Sequence, residues 1–379
     1  MDRHRTRIAT RPRLAAVLVL LLGLLLATSS TALAEGDDWA QFTLPDPVVQ
    51  FGRGVSFELQ AEVDRDPDRV WLVYRLEGER ARNRAAAEFA SGSGVVAEYD
   101  WTLESGMMAP GVTIHYRWEL EDADGHRVRS SERSFRYEDG RFDWQSVSDG
   151  DLTVFYYRDA AQAEKVLAAG REALDRIHEG TGMHPLRSVR LYIYATQRDM
   201  AGAIPSRSET YDSRTVTLGM SMGSDALVLL GADGDILETT AHELSHAVVN
   251  QNTDGPFTDI PRWLDEGLAM YSEGEIPADN ARALDRAISR GTLISLRSMT
   301  SYPGDAALVD LFYGQAYSIA EYMIEEYGAT PMHELLALLA GGIPAEAALT
   351  EAYGFGLEEL ERGWLVSLGL EPESLREAA

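Results

Sequence analysis

Cysteine is absent from this chain of 379 residues. No disulfide can brace it and no thiol can act as nucleophile, so an apolar core has to hold the fold unaided. Lysine is nearly absent too: Lys165 is the only one, and the other basic residues are arginines. Acidic side chains outnumber basic ones by 61 to 34, a formal net charge of −27. That balance argues against nucleic acid and anionic membrane surfaces as partners, and its plain reading is a solvated acidic exterior. Long apolar runs are scarce as well. The single one, Leu14 to Ala27, is shorter than the roughly 20 residues that a membrane-spanning helix requires.

That run is preceded by Arg3, Arg5, Arg7, Arg11 and Arg13 and followed by Ala32-Leu33-Ala34, a small-residue cleavage site. Charge, length and cleavage site together read as a secretory signal peptide over residues 1–34, against the alternative of an uncleaved N-terminal anchor. Removing its five arginines and one aspartate leaves a mature chain near −31. The mature protein is expected to be secreted or extracytoplasmic, at the cell surface or in a periplasm, with no membrane contact after cleavage.

The length allows two domains. Residues 40–140 carry period-two alternation in Val55–Val63, Arg69–Leu76, Val95–Trp101 and Thr113–Leu120, and the turn Asp122-Ala123-Asp124-Gly125 leads to a further strand over Arg127–Phe135. An all-β sandwich of immunoglobulin or fibronectin type follows as the expectation, with no partner indicated for it. A charged, glycine-containing boundary at Tyr137–Trp144 precedes a second domain over residues 145–375. There the pattern predicts strands at 152–157, 189–194, 215–219 and 226–230, a helix over 159–178, a polar loop over 202–214, and a helical lobe from Ile236 onward with runs at 279–290, 305–327, 330–340 and 344–366. The fold class is therefore α+β: a small mixed sheet with a helical lobe, and a cleft between the two lobes.

Within the helix that starts at Ile236 stands His242-Glu243-Leu244-Ser245-His246. Positions i and i+4 share a helix face, so both imidazoles can reach one zinc ion, with Glu243 beside them to touch a water on that metal. A catalytic zinc takes three protein ligands and one open position. Twenty residues after His246, Glu266 sits in Trp263-Leu264-Asp265-Glu266-Gly267-Leu268-Ala269-Met270-Tyr271, which reads as a second helix with Asp259 as its N-cap and Pro261 in its first turn.

The pair H-E-x-x-H and W-L-x-E-G-x-A-x-Y resembles the gluzincin zinc metallopeptidases, most of all the peptidase MA-like family. The resemblance covers roughly residues 145–370. It implies a zincin-like two-lobed domain, Zn2+ as cofactor, His242, His246 and Glu266 as metal ligands, and Glu243 as the general base and later acid on a peptide or protein substrate. Leu311–Tyr317 resembles the family's tyrosine helix, whose hydroxyl stabilises the oxyanion; Tyr313 is the first choice for that role and Tyr317 the second. The competing H-E-x-x-H-x-x-G-x-x-H pattern fails, because Val249 and Asn252 stand at its Gly and third His.

Two departures from the family pattern matter. Met270 occupies the place where thermolysin-like enzymes put an Asp that orients a ligand His, which leaves Asp265, Ser272 and Glu273 as unranked substitutes. Gly219-Met220-Ser221-Met222-Gly223-Ser224 lacks the Glu-Asn pair with which aminopeptidases hold a free amine, which favours an endopeptidase. The segment 226–230 is expected to be the edge strand that pairs with extended substrate. The alternatives are a catalytically idle zincin-fold binding or scaffold protein at the cell surface, and a hydrolase of non-peptide amides or esters. His115, His126, His178, His184 and His333 are scattered and read as structural or exposed. Asp233-Gly234-Asp235 ends a strand and leads into the metal-binding helix.

Overall fold

The structure, a computed structural model, describes residues 39–79, 81–92, 94–204, 219–221 (backbone only), 225–255 and 257–370. The expected signal peptide, the strand residues 215–218 and most of the polar loop lie outside these. No helix among the described residues is long and apolar enough to cross a membrane.

The first ten strands are β1 (Ala40–Thr43), β2 (Val48–Gln50), β3 (Gly54–Val63), β4 (Arg69–Leu76), β5 (Asn83–Ala86), β6 (Glu88–Ser91), β7 (Val95–Thr102), β8 (Val112–Glu121), β9 (Arg127–Arg129) and β10 (Arg133–Tyr137). They form two antiparallel sheets. One runs β1-β3-β7-β6 with β2 also on β3; the other runs β10-β8-β4-β5 with β9 also on β8. Alternation sends Val55, Phe57, Leu59 and Ala61 of β3 inward to meet Val70, Leu72, Ile114, Tyr116, Trp118 and Leu120 in one shared core. The single strand expected over Arg127–Phe135 is two strands. Arg129 pairs with Glu119 and Arg133 with Tyr116, so β9–β10 spends one residue more than β8 across the gap, a bulge.

The third sheet adds β11 (Gln145–Asp149), β12 (Leu152–Tyr156), β13 (Val189–Tyr194), β14 (Gly219–Ser221) and β15 (Ala226–Leu230). Its order is β11-β12-β13-β15-β14. The central pairs β12–β13 and β13–β15 are parallel, and both outer pairs are antiparallel. This corrects one expectation. The segment 226–230 is not an edge strand, because β14 pairs with it on the side away from β13 and takes the edge position.

Helix α1 (Ala160–Thr181), opened by the Asp159 carboxylate accepting from Gln162 N, makes the crossover from β12 to β13 and extends three residues beyond the expected end. A short α2 (Gln197–Met200) follows β13. The helical lobe comprises α3 (Ile236–Thr253), α4 (Arg262–Glu273), α5 (Ala278–Arg290), α6 (Val309–Tyr327), α7 (Ala329–Ala340), α8 (Ala345–Tyr353) and α9 (Leu357–Ser367). The expected run 344–366 is broken in two at Gly354, whose φ of 81° ends α8 in the left-handed conformation that glycine tolerates best.

All five residues of β15 are buried, since both faces of the third sheet are covered. Leu152, Val154, Leu191, Ile193, Leu227 and Leu229 pack with α1 and α3. On the other face, Tyr192, Tyr194 and Val228 pack with Ala109 of the β-domain and with Trp144, Phe142 and Tyr157. The junction is polar as well as aromatic: the fully buried Asp139 accepts from Tyr194 Oη at 2.8 Å and from Arg141 Nε and Nη2 at 2.8 and 2.6 Å.

Candidate metal centre

Helix α3 follows the Asp233-Gly234-Asp235 turn, where the Asp233 carboxylate accepts from Asp235 N at 3.1 Å and from Thr239 Oγ1 in the helix at 3.0 Å. From there the helical repeat brings His242 and His246 to one face, ring centroids 4.9 Å apart. Helix α4 begins at Arg262 after Pro261, with no side-chain cap; the expected Asp259 N-cap is two residues too early, because the chain stays extended through Pro261. Ser272 ties α4 to α3, donating to Ala241 O at 2.7 Å immediately before the first histidine.

This packing brings His242 Nε2, His246 Nε2 and Glu266 Oε2 together. The nitrogens lie 3.3 Å apart, and Glu266 Oε2 lies 3.3 Å from His242 and 3.7 Å from His246. A tetrahedral ion bonded at about 2.0–2.1 Å would space its ligand atoms by about 3.4 Å, so the triangle has the size that zinc requires. The donor set also suits it. Glu266 is 2% exposed, and its Oε2 makes no hydrogen bond of ordinary geometry. An orphaned buried carboxylate oxygen is costly unless a cation meets it.

Each histidine is oriented from behind. His242 Nδ1 donates to Glu273 Oε1 at 2.7 Å, and His246 Nδ1 donates to Asp265 Oδ1 at 3.0 Å. With the proton held on Nδ1, the Nε2 lone pair faces the centre. Of the three substitutes for the missing Asp at Met270, two therefore serve the imidazoles and Ser272 serves the backbone. Met270 itself is buried.

The electrostatics favour positive charge at the meeting point. Burial alone would lower the His242 pKa, but the carboxylates of Glu266 and Glu273 outweigh it and push the imidazole up to about 9. His246 is likewise raised, with Asp265 and Glu266 overcoming burial. Burial would raise Glu266, yet the two imidazoles hold it far below the usual carboxylate range.

Glu243 is half-buried next to His242 on α3. The Tyr313 ring on α6 lies 6.4 Å from the His242 ring. Tyr317, the second choice, is one turn further along; its hydroxyl donates to Glu321 at 2.6 Å and is directed there instead. The sequence reading assigned no role to two neighbours. Tyr302, in the linker before α6, donates its hydroxyl to Glu266 Oε1, and its ring lies 6.4 Å from that of Tyr313. Arg262 places Nη1 2.8 Å from Asp265 Oδ2 and 3.6 Å from Glu266 Oε1. The i,i+3 and i,i+4 spacing of Arg262 was a readable signal, whereas nothing in Ser301-Tyr302-Pro303 marks that tyrosine.

One further acid–histidine group, Asp122, Asp124 and His126, lies in the β8–β9 turn. Asp122 is already engaged there by Asp124 N, His126 N and His126 Nδ1, at 2.9–3.0 Å. It stabilises the turn.

The family model described as the peptidase MA superfamily matches residues 169–369, more than half of the chain and every residue of the triangle. A search of curated proteins finds no match. Among solved structures, a two-domain M1 zinc metallopeptidase mutant bound to L-tryptophan is 12% identical, with 87% of this chain and 95% of that one covered and a TM-score of 0.39. An M1 zinc metallopeptidase mutant from Deinococcus radiodurans, bound to a Tyr-Ser-Ala substrate, is 10% identical over the same coverage, with a TM-score of 0.36. The chain belongs to the peptidase MA superfamily of zinc metallopeptidases.

Proposed function

We propose that the chain is a secreted zinc-dependent endopeptidase in which His242, His246 and Glu266 hold the metal and Glu243 carries the proton. The observation that supports this best is the triangle of Nε2, Nε2 and Oε2 atoms with edges of 3.3, 3.3 and 3.7 Å around an otherwise unsatisfied carboxylate oxygen. A bound zinc ion would supply a Lewis acid that lowers the pKa of water and polarises the scissile carbonyl. Glu243 takes the proton of the attacking water and passes it to the leaving amine. The Tyr313 hydroxyl, on a ring 6.4 Å from that of His242, donates to the oxygen on which negative charge develops. An extended substrate adds to β14, the outermost strand of the described sheet on the side of β15. Endopeptidase action rests on the missing Glu-Asn pair at Gly219–Ser224, and secretion on the arginine-flanked apolar run and A-x-A site of residues 1–34.

The test is cleavage of an unfolded protein by the purified mature chain beside Glu243→Gln, with equal zinc content confirmed. Activity is expected to fall by about 10²–10⁴-fold in the variant. Equal cleavage by both would remove Glu243 from the mechanism. No cleavage by either, with zinc bound, would favour the idle binding-protein reading. Internal cleavage of a peptide with a blocked amino terminus is expected; a strict need for a free amine would overturn the endopeptidase assignment.

A further inference from the structure

Glu266 has two oxygens in two different environments. Oε2 faces the imidazoles, 3.3 Å from His242 Nε2 and 3.7 Å from His246 Nε2, and makes no hydrogen bond of ordinary geometry. Oε1 points the other way, accepts from Tyr302 Oη and has the Arg262 guanidinium 3.6 Å away. Two neighbours contact the Tyr302 ring. Arg262 lies over it at 5.0 Å from the centroid, and Phe312 packs at 5.9 Å. Tyr302 thus brings its hydroxyl to the carboxylate from outside α4.

A carboxylate can bind a metal through one oxygen or two. Two oxygens would take up the position that a hydrolytic site has to keep for water. We propose that Tyr302 is a positioning residue: its hydroxyl occupies Glu266 Oε1 and so commits Glu266 to binding metal through Oε2 alone. The inference rests on the reading of His242, His246 and Glu266 as zinc ligands. Arg262 assists by neutralising the outward oxygen while it holds Asp265, the residue behind His246. One tyrosine–arginine pair from outside the metal motif therefore sets the coordination of a ligand inside it.

The experiment compares wild type, Tyr302→Phe and Tyr313→Phe, each stripped of metal and titrated with zinc against a competing chelator, then loaded with Co2+ for its visible spectrum. Phe keeps the ring that packs on Arg262 and Phe312, so metal-free Tyr302→Phe is expected to melt with the wild type. Its zinc affinity is expected to fall about 10–100-fold, the usual effect of removing a partner behind a ligand. Its cobalt bands are expected to weaken, as a second carboxylate oxygen raises the coordination number. Tyr313→Phe leaves the Tyr302–Glu266 bond in place and is expected to bind zinc like the wild type. Wild-type affinity and an unchanged cobalt spectrum in Tyr302→Phe would overturn the inference while leaving the ligand set intact. An equal loss in both tyrosine variants would overturn it too, since it would assign the effect to the Tyr313 network. Failure of the wild type to bind zinc would remove the ligand set and this inference together. If Tyr302→Phe melts early, the cobalt spectrum of its folded form at low temperature decides in the same way.

Discussion

Gly267, which follows the proposed ligand Glu266 on α4, tests how the site is assembled. An ideal Cβ there would lie 2.4 Å from Ala316 O and 3.0 Å from both Ala316 C and Ala320 Cβ. The obstacle is the backbone of α6, so no rotamer change can relieve it. Restoring a normal carbon contact of about 3.5 Å requires α6 to retreat from α4 by about 1 Å. Two effects of Gly267→Ala oppose each other. Intrinsic helix propensity favours Ala by about 1 kcal/mol. Overpacking a filled interface costs about 1–3 kcal/mol, and a backbone clash belongs at the upper end. The clash wins by about 2 kcal/mol, which lowers the melting temperature by about 4–8 °C for a domain of this size. Because α6 carries Tyr313 while α4 carries Glu266, the same retreat misplaces the proposed oxyanion donor, and an error of about 1 Å can cost about 100-fold in turnover. Thermal unfolding and peptidase assays on Gly267→Ala check both numbers, with Gly304→Ala as control because nothing lies within 4 Å of that position. A Gly267→Ala protein that melts higher than wild type with full activity would show that propensity wins, and would refute the close approach of α4 and α6.

Four other outcomes are expected. Glu273→Gln removes the negative charge behind His242 and is expected to weaken zinc binding about 10–100-fold in a chelator competition; unchanged affinity would show that Glu273 does not orient the ligand. His242, whose lowering by burial is outweighed by Glu266 and Glu273 so that it reaches about 9, stabilises the metal-free fold through its proton. That contribution is fully present below its ordinary value of 6.5 and is lost as pH rises through about 9, which denaturant titrations of chelated protein will measure. Zinc must displace the same proton, so affinity is expected to climb about tenfold per pH unit for that proton up to pH 9, and a flat profile would contradict it. Finally, Asp139→Ala strips the junction between the β-domain and the third sheet of the acceptor for Tyr194 and Arg141; a loss of about 1–3 kcal/mol is expected in urea unfolding, and no loss would mean that the junction is not held there.

Much of the site was readable in advance because its grammar is local. His242 and His246 share a face through the helical repeat alone, and the carboxylate for their triangle stood in the second motif. The resemblance carried Glu266 to that place, and packing of α4 on α3 brings its Oε2 to 3.3 Å from His242. Tyr313 is ranked before Tyr317 on the resemblance alone; the Tyr317 hydroxyl donates to Glu321, a contact the sequence pattern does not show. The long strands of the β-domain followed from alternation, while the bulge between β9 and β10 did not, since an extra residue leaves no mark on a polar Ser-Ser-Glu stretch. The edge strand was misread because a fully apolar segment such as Ala226–Leu230 shows that both faces are covered but does not reveal which neighbours lie beside it.

The sequence by itself determined the elements and the chemistry available to them. Period-two and helical patterns are short-range consequences of backbone geometry, and residue type sets what can bind a metal or carry a proton. Only the tertiary structure decided which groups serve which. Glu273 and Asp265 took the histidines, Ser272 took the backbone, and Tyr302 took the outward oxygen of Glu266. These assignments depend on how α3, α4, the linker through Tyr302 and α6 pack against one another. That packing answers to the volume and hydrogen bonding of the whole lobe, which no local window of sequence contains.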